Sequence, residues 1–271
     1  MAITTILELL VLGCFTGFMA GLLGIGGGLI ITPFLIMLIP TTLIPQEAIV
    51  HVAIATSLAT IAFTSLSSVR AHHKRGAVLW NVVKMVVPGI LLGTLLGSQI
   101  ASFLPSGWIA LVFSGFVWFS AYKMFLNKAP KAERQLPGSA GMLGAGTVIG
   151  VLASLVGAGG GFISIPWMTW CNVKIHNAVA TSAAFGFPIA FFGTIGYIIS
   201  GWNVQGLPSW PIALGYICLP ALVCISATSI LFAPLGAKVA HSLDVKPLKR
   251  IFACLLCCLG MYMFYKGISY F

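Results

Sequence analysis

Two short glycine-rich segments, each followed by a proline, contain the residue types in this sequence that could bind a ligand. They read GLLGIGGGLIITPF (21–34) and SLVGAGGGFISIPW (154–167), and the second follows the first by 133 residues. Glycine adopts positive φ without steric penalty and costs about 1 kcal/mol per residue in a helix relative to alanine. We therefore predict that both segments interrupt helices. The glycines predicted to form the ligand site are Gly24, Gly26, Gly27, Gly28, Gly157, Gly159, Gly160 and Gly161.

The short apolar run after each glycine cluster indicates what these interruptions could bind. Runs 29–39 and 162–172 have 11 residues each. At about 1.5 Å per residue they reach only about half-way across a hydrocarbon core of about 30 Å. A half-helix that starts at a glycine has free N–H groups and a partial positive charge, which favour a bound anion. The alternative is close helix packing through the GxxxG spacing in each cluster. Two matching clusters, each with a proline five residues on, favour a transporter's binding site.

Hydroxyl and amide side chains follow each cluster on the next apolar run. Thr56 and Ser57 match Thr181 and Ser182 at a spacing of 125 residues, and Asn177 lies one turn before Thr181. These groups could donate hydrogen bonds to a bound oxyanion. Alternatively, the hydroxyls donate to the carbonyl four residues earlier or join neighbouring helices. The sequence leaves both interpretations open.

Ionisable residues within apolar segments are rare and therefore informative. Glu47 and His51 are four residues apart at the start of the apolar run 46–69, so they could form a proton-linked pair. A glutamate at a helix terminus near the membrane interface is the favoured alternative.

Three of the seven cysteines share one helix face. Cys254, Cys257 and Cys258 have i, i+3, i+4 spacing, which could bring thiols to a sulfur-containing substrate. Buried cysteines usually serve as small apolar residues, and this is the favoured interpretation. The pattern has no metal-ligand spacing, so we expect no metal and no cofactor.

The composition fixes the class of protein to which these elements belong. Of the 271 residues, 59% are hydrophobic and 7% charged, and the mean hydropathy is +1.07. Soluble domains carry about 25% charged residues. This composition excludes a soluble enzyme, a disordered chain and a nucleic-acid module, and it predicts an all-α polytopic membrane protein in the lipid bilayer. The net charge of +10 is ascribed to cytoplasmic loops rather than to nucleic-acid binding.

The chain divides into two similar halves around one polar stretch. We predict an N-terminal membrane repeat over 1–127, a cytoplasmic linker over 128–137 and a C-terminal membrane repeat over 138–271, with about 4–5 membrane segments per half. The predicted apolar runs are 3–22, 29–39, 46–69, 79–101, 107–126, 139–156, 162–172, 177–199, 211–233 and 248–270.

The distribution of Lys and Arg distinguishes two topologies, because these residues concentrate on the cytoplasmic side. If each glycine segment crosses once, the 14 residues divide 9 to 5. If each segment is a hairpin that returns to its side of entry, they divide 13 to 1, with only Lys266 outside. We prefer the second topology. It places loop 70–75 and linker 127–138 in the cytoplasm and both termini outside, and it inverts the second half relative to the first.

The sequence resembles the TauE/SafE family of membrane permeases over essentially the whole chain. The resemblance lies in the two glycine motifs, each followed by an AxxTS-like element, and in two shorter stretches. These are AIATS (53–57), AVATS (178–182), HHKRGAVLW (72–80) and SGW (200–202). It implies transport of a small sulfur-containing anion such as sulfite, thiosulfate, a sulfonate or sulfoacetate, mainly as export.

Together these observations predict a secondary transporter in the cytoplasmic (inner) membrane that works by alternating access and is not an enzyme. Its predicted partner is a small anionic substrate held between the two glycine segments. The alternatives are an anion channel with the same site, a membrane-embedded thiol-dependent sulfur-handling protein and a structural subunit. The sequence leaves the oligomeric state open, and a homo-oligomer is one alternative.

Overall fold

A computed structural model describes residues 3–23, 27–39, 44–126, 134–208, 212–240 and 246–271. Eight of the helices in these ranges are long and apolar enough to cross a membrane, which confirms the prediction of an all-α polytopic membrane protein. The helices are α1 (Ile3–Leu23), α2 (Gly28–Leu38), α3 (Ile49–His73), α4 (Trp80–Phe103), α5 (Ser106–Leu126), α6 (Ser139–Val156), α7 (Gly161–Trp170), α8 (Ile175–Gly201), α9 (Leu219–Ala240) and α10 (Lys246–Ser269).

Both glycine segments interrupt helices, as predicted. Helix α1 ends at Leu23, and α2 starts after Gly27, whose φ is 73°. Helix α6 ends at Gly157 (φ 66°), and α7 starts after Gly160 (φ 74°). Glycine readily adopts left-handed backbone of this kind, so the glycines account for the position of each helix break. Gly24 and Gly26 lie outside the described residues.

The apolar run predicted at 211–233 is not one continuous helix. An antiparallel hairpin of two short strands, β1 (Ala213–Leu214) and β2 (Ile217–Cys218), precedes α9. Gly215, with φ 57°, forms part of the turn between them. The hairpin residues are almost as apolar as a membrane helix, so hydropathy alone did not separate them from α9.

Helix α3 runs in the same direction as α9 and opposite to α8. At one end of the α3–α9 contact, the Cys218 N–H donates to Thr56 Oγ1, and at the other, Arg75 Nη1 donates to the Ala237 carbonyl. Along this contact the residue numbers of α3 and α9 rise in the same direction, so the two helices are parallel. Against α8 the order reverses, because Leu58 of α3 lies beside Gly193 and Ser65 lies beside Gly186.

Two further helix pairs are parallel and closely packed through glycines. Helix α1 runs alongside α9, and α4 runs alongside α6. Added Cβ atoms on Gly13 and Gly21 of α1 would overlap Ile225 and Ala233 of α9, respectively. Helices α1 and α3 are thus parallel to each other. Since α2 connects them, it must run back toward the start of α1. The contacts of α4 with α6 and with α8 likewise show that α6 and α8 are parallel to each other. Since α7 connects them, it must run back toward the start of α6.

The described end of the linker positions a cation beside α7. The Arg134 backbone N–H donates to the Trp170 carbonyl (3.4 Å), and its guanidinium carbon lies 4.6 Å from the centre of a Trp170 ring. The C-terminus of a helix carries partial negative charge, so a nearby cation stabilises the orientation of this short helix. Residues 127–133, which precede Arg134, lie outside the described part of the chain.

Candidate functional site

The two glycine segments meet near the middle of the two longest helices. A Cβ on Gly28 would overlap the Gly157 carbonyl oxygen and lie 2.9 Å from Ala158 Cα and 2.8 Å from Ile61 Cδ1. Ile61 is the middle residue of α3. On the other side of the contact, Gly160 lies beside Ile189, near the middle of α8. We call this contact between the starts of α2 and α7 the glycine junction.

Each half-helix begins at the junction with backbone amides that have no acceptor in the described part of the chain. The first hydrogen bonds of α2 are those of Ile30 and Ile31 to the Gly27 carbonyl, at 3.0 and 3.2 Å. The N–H groups of Gly28 and Leu29 therefore have no acceptor among the described residues. In α7 the first donors are Ile163 and Ser164, both to the Gly160 carbonyl. By the same criterion, within the described chain, this leaves the N–H groups of Gly161 and Phe162 unpaired.

The electrostatic field at the junction comes from these backbone groups rather than from charged side chains. Among the described residues, no Lys, Arg, Asp or Glu is buried. Helices α2 and α7 run away from the junction in opposite directions, so both present their N-termini to it. Each N-terminus carries about half a positive charge and stabilises a nearby anion by about 0.3–2 kcal/mol. The arrangement therefore suits a small anion and disfavours a cation.

Two of the predicted hydroxyl residues lie beside the junction. Ser57 Oγ donates to the Gly157 carbonyl at 2.9 Å, which joins α3 directly to the second glycine segment. Ser182 accepts a hydrogen bond of 2.8 Å from Ser164 in the first turn of α7. All three serines are buried. Gly159 also belongs to this region, since its carbonyl is near the position of a Cβ on Gly186.

The predicted threonines bind backbone amides at the starts of other helices. Thr56 Oγ1 accepts the Cys218 N–H (2.9 Å) just before α9, and Thr181 Oγ1 accepts the Leu79 N–H (3.0 Å) just before α4. The two threonines are 125 residues apart, and each accepts the amide of the residue just before a helix. They satisfy amides that the first turn of a helix leaves unpaired, so both threonines have a structural role here. Asn177 is partly buried in the first turn of α8, about 13 Å along that helix from Gly186 at 1.5 Å per residue.

Glu47 and His51 are not brought together as a pair. His51 is buried, with Nε2 3.0 Å from the Ala101 carbonyl and Nδ1 3.3 Å from Ser106 Oγ, and its ring stacks on Tyr216 of the hairpin. Glu47 precedes α3, its side chain is exposed, and its backbone carbonyl accepts the Ser106 hydroxyl. His51 therefore joins the starts of α3 and α5 to the end of α4 without a carboxylate partner among the described residues.

The cysteine face is directed away from the junction. Cys254, Cys257 and Cys258 are all exposed on α10. In the described part of the chain, no group of three or more His, Cys, Asp or Glu is placed to hold a metal ion. The described groups at the junction are therefore backbone amides and hydroxyls.

One buried polar residue at the junction was missed by the sequence analysis. Thr32 lies one turn after Gly28 in α2, and its Oγ1 is 3.1 Å from the position of a Cβ on Gly157. A hydroxyl within an otherwise apolar half-helix, spaced i, i+4 from a glycine at the helix start, is the signal that could have identified it.

Comparison with known proteins identifies the family. The family described as Sulfite exporter TauE/SafE matches residues 9–263 of the chain. The chain belongs to the TauE/SafE family. Among its relatives is a probable membrane transporter protein of Haemophilus influenzae, 36% identical over 265 residues that cover 97% of this chain and 99% of the relative.

More distant relatives match over almost the same length. The probable membrane transporter protein YunE of Bacillus subtilis is 29% identical over 280 residues, covering 96% of this chain and 97% of the relative. A probable membrane transporter protein of Methanocaldococcus jannaschii is 25% identical over 260 residues, covering 94% of each. No solved structure matches the chain. With its eight candidate spans, this TauE/SafE protein is a multi-pass membrane transporter.

Proposed function

We propose that this TauE/SafE protein is a secondary transporter of a small sulfur-containing oxyanion, such as sulfite, thiosulfate, a sulfonate or a sulfoacetate-like anion. The observation that carries the proposal is the meeting of two glycine-started half-helices. Among the described residues, each has two amides without an acceptor, and no Lys, Arg, Asp or Glu is buried. The description of the family as a sulfite exporter supports the choice of sulfur oxyanions.

The binding energy for such an anion comes from many weak donors of fixed orientation. Hydrogen bonds to a charged group contribute about 1.5–3 kcal/mol each, against about 0.5–1.5 kcal/mol between neutral groups. The amides of Gly28 and Leu29 approach from α2, and those of Gly161 and Phe162 approach from α7. Sulfite and sulfonates present three oxygens on one sulfur, so one anion accepts from both half-helices at once.

We further propose that the two halves are inverted repeats that rock against each other. The pairing of helices supports this relation, since α1 packs on α9 as α6 packs on α4, and α3 contacts both α8 and α9. Two further observations agree with an inverted repeat. Helices α3 and α8 run in opposite directions, and α2 and α7 each run back toward the start of the helix before them. Movement of one half relative to the other would open the junction first to one side and then to the other.

The helix directions also support the proposed orientation in the membrane. With α1, α3 and α9 parallel and α4, α6 and α8 opposed to them, loop 70–75, the described part of the linker and the end of α9 lie on one side. This is the side that the positive-inside rule assigns to the cytoplasm, in the inner membrane. Both termini then lie outside.

Counterflow in liposomes tests the proposed function. Purified protein is reconstituted, the vesicles are preloaded with unlabelled sulfite, and the entry of radiolabelled sulfite is measured, with thiosulfate and methanesulfonate as competitors. A carrier saturates and is stimulated by substrate on the opposite side, whereas a channel shows no such stimulation. Entry no faster than in protein-free vesicles, for all three anions, would contradict the proposal.

A matched pair of glycine variants ties the transport to the junction. Gly27→Val introduces a branched side chain at φ 73° beside the Thr16 carbonyl, and we expect transport to be abolished. Gly115→Val lies in α5 with nothing within 4 Å of its Cβ, and transport should be retained. Gel filtration in detergent verifies that both variants are folded. Equal transport by the two variants would exclude the junction as the site.

A further inference from the structure

The hydroxyl of Thr32 is buried at the glycine junction. Its side chain is 0% exposed, and Oγ1 has no partner among the described residues. Such a group is disfavoured in a folded protein, because desolvation of the hydroxyl is not compensated. Buried polar atoms without partners are few in native structures and call for an explanation.

Every other buried threonine in the described chain uses its hydroxyl. Thr56 and Thr181 accept backbone amides, as described above. Five donate to the carbonyl four residues earlier: Thr16, Thr60, Thr64, Thr94 and Thr169. Thr32 has the same option toward the Gly28 carbonyl within α2, yet its Oγ1 is turned toward the second glycine segment instead.

This hydroxyl and the start of α2 both lie against the second glycine segment. Gly28 and Thr32 are one turn apart and face the same residue, Gly157. The Gly157 carbonyl already accepts from Ser57 Oγ. The donor hydroxyl of Thr32 and the N–H groups of Gly28 and Leu29, which have no acceptor among the described residues, thus belong to the same half-helix beside the second glycine segment.

We propose that Thr32 is a substrate-binding residue whose O–H donates to an oxygen of the oxyanion held at the start of α2. The inference rests on the proposed function, since it uses the same site. The second half has no equivalent group: Ile165 stands 133 residues after Thr32, and the neighbouring Ser164 is bonded to Ser182. The anion is thus held more strongly by α2 than by α7.

Substitution by valine tests the proposal with two readouts that move differently. Thr32→Val keeps the shape of the side chain and removes the hydroxyl. Sodium sulfite and sodium methanesulfonate are titrated into purified protein at constant ionic strength, with calorimetry for affinity. We expect about 10- to 100-fold weaker binding, which corresponds to one lost hydrogen bond to a charged group. The thermal midpoint without anion should stay equal or rise, because no bond is lost. Thr32→Ser, which keeps the hydroxyl, should bind well.

Thr94→Val is the matched control. Thr94 is equally buried in α4, but its hydroxyl donates to the Ile90 carbonyl at 2.8 Å. This variant should lower the thermal midpoint and leave anion affinity unchanged. Wild-type affinity in Thr32→Val, or a thermal loss like that of Thr94→Val, would overturn the role of Thr32 while the proposed function stands. Failure of the wild-type protein to bind either anion would overturn both.

Discussion

The contact between the two glycine segments predicts that a single methyl group at Gly28 is harmful. Gly28→Ala places a Cβ inside the Gly157 carbonyl oxygen, 2.8 Å from Ile61 Cδ1 and 2.9 Å from Ala158 Cα. Real Cβ atoms essentially never come closer than 3.0 Å to such atoms. Two of the three neighbours are backbone, so the segments must separate by on the order of 1 Å.

The size of the effect follows from two opposing contributions. Overpacking of a close-packed interior costs about 1–3 kcal/mol. Alanine in place of a helical glycine returns up to about 1 kcal/mol. When the full 1 kcal/mol is returned, the net loss is about 0–2 kcal/mol, which lowers the thermal midpoint by up to about 8 °C on the scaling for larger soluble domains. Because the separation displaces the amides of α2 from the junction, we expect sulfite counterflow to fall more than tenfold.

Thermal unfolding in detergent and counterflow in liposomes measure the two effects of Gly28→Ala. Gly115→Ala is the matched control, since its Cβ has nothing within 4 Å, and it should change neither quantity. Wild-type stability and wild-type transport in Gly28→Ala would refute the reasoning, because the two segments could not then be in contact. Reduced stability with unchanged transport would place the substrate elsewhere.

Two further predictions concern helix capping and topology. Thr181→Val leaves the Leu79 N–H without its acceptor, so the free energy of unfolding should fall by about 1–3 kcal/mol. This loss is measured as a lower thermal midpoint. An unchanged midpoint would show that water replaces the hydroxyl. In a cysteine-free background, a cysteine at Lys74 should react with an impermeant maleimide only from the cytoplasmic side and one at Lys266 only from outside. Labelling of both from one side would exclude the proposed orientation.

The glycine breaks were predictable because their cause is local. Consecutive glycines disfavour helix and permit positive φ wherever they occur, so Gly27 and Gly160 could be assigned to interruptions without knowledge of their neighbours. The same holds for the half-length of α2 and α7, which depends on residue count alone. Hydropathy likewise sufficed to predict that membrane helices are present, although not where α9 begins.

The hydroxyl roles were not predictable because their partners are distant in sequence. Thr181 contacts Leu79 across 102 residues, and Ser57 contacts Gly157 across 100. Spacing placed Thr181 and Ser182 together, although they face different partners because they are about 100° apart around α8. The hairpin before α9 was missed for another reason: its residues are apolar, and period and hydropathy do not distinguish it from the helix.

The central claim is that an oxyanion lies between the starts of α2 and α7, and the most direct test is to locate one. Selenite resembles sulfite in shape and charge, and its selenium scatters anomalously. A crystal structure of the protein with selenite should show one anomalous selenium peak between the starts of α2 and α7, with selenite oxygens within hydrogen-bond distance of the amides of Gly28, Leu29, Gly161 and Phe162. A peak confined to the basic loop 70–75, or none in the protein interior, would contradict the account.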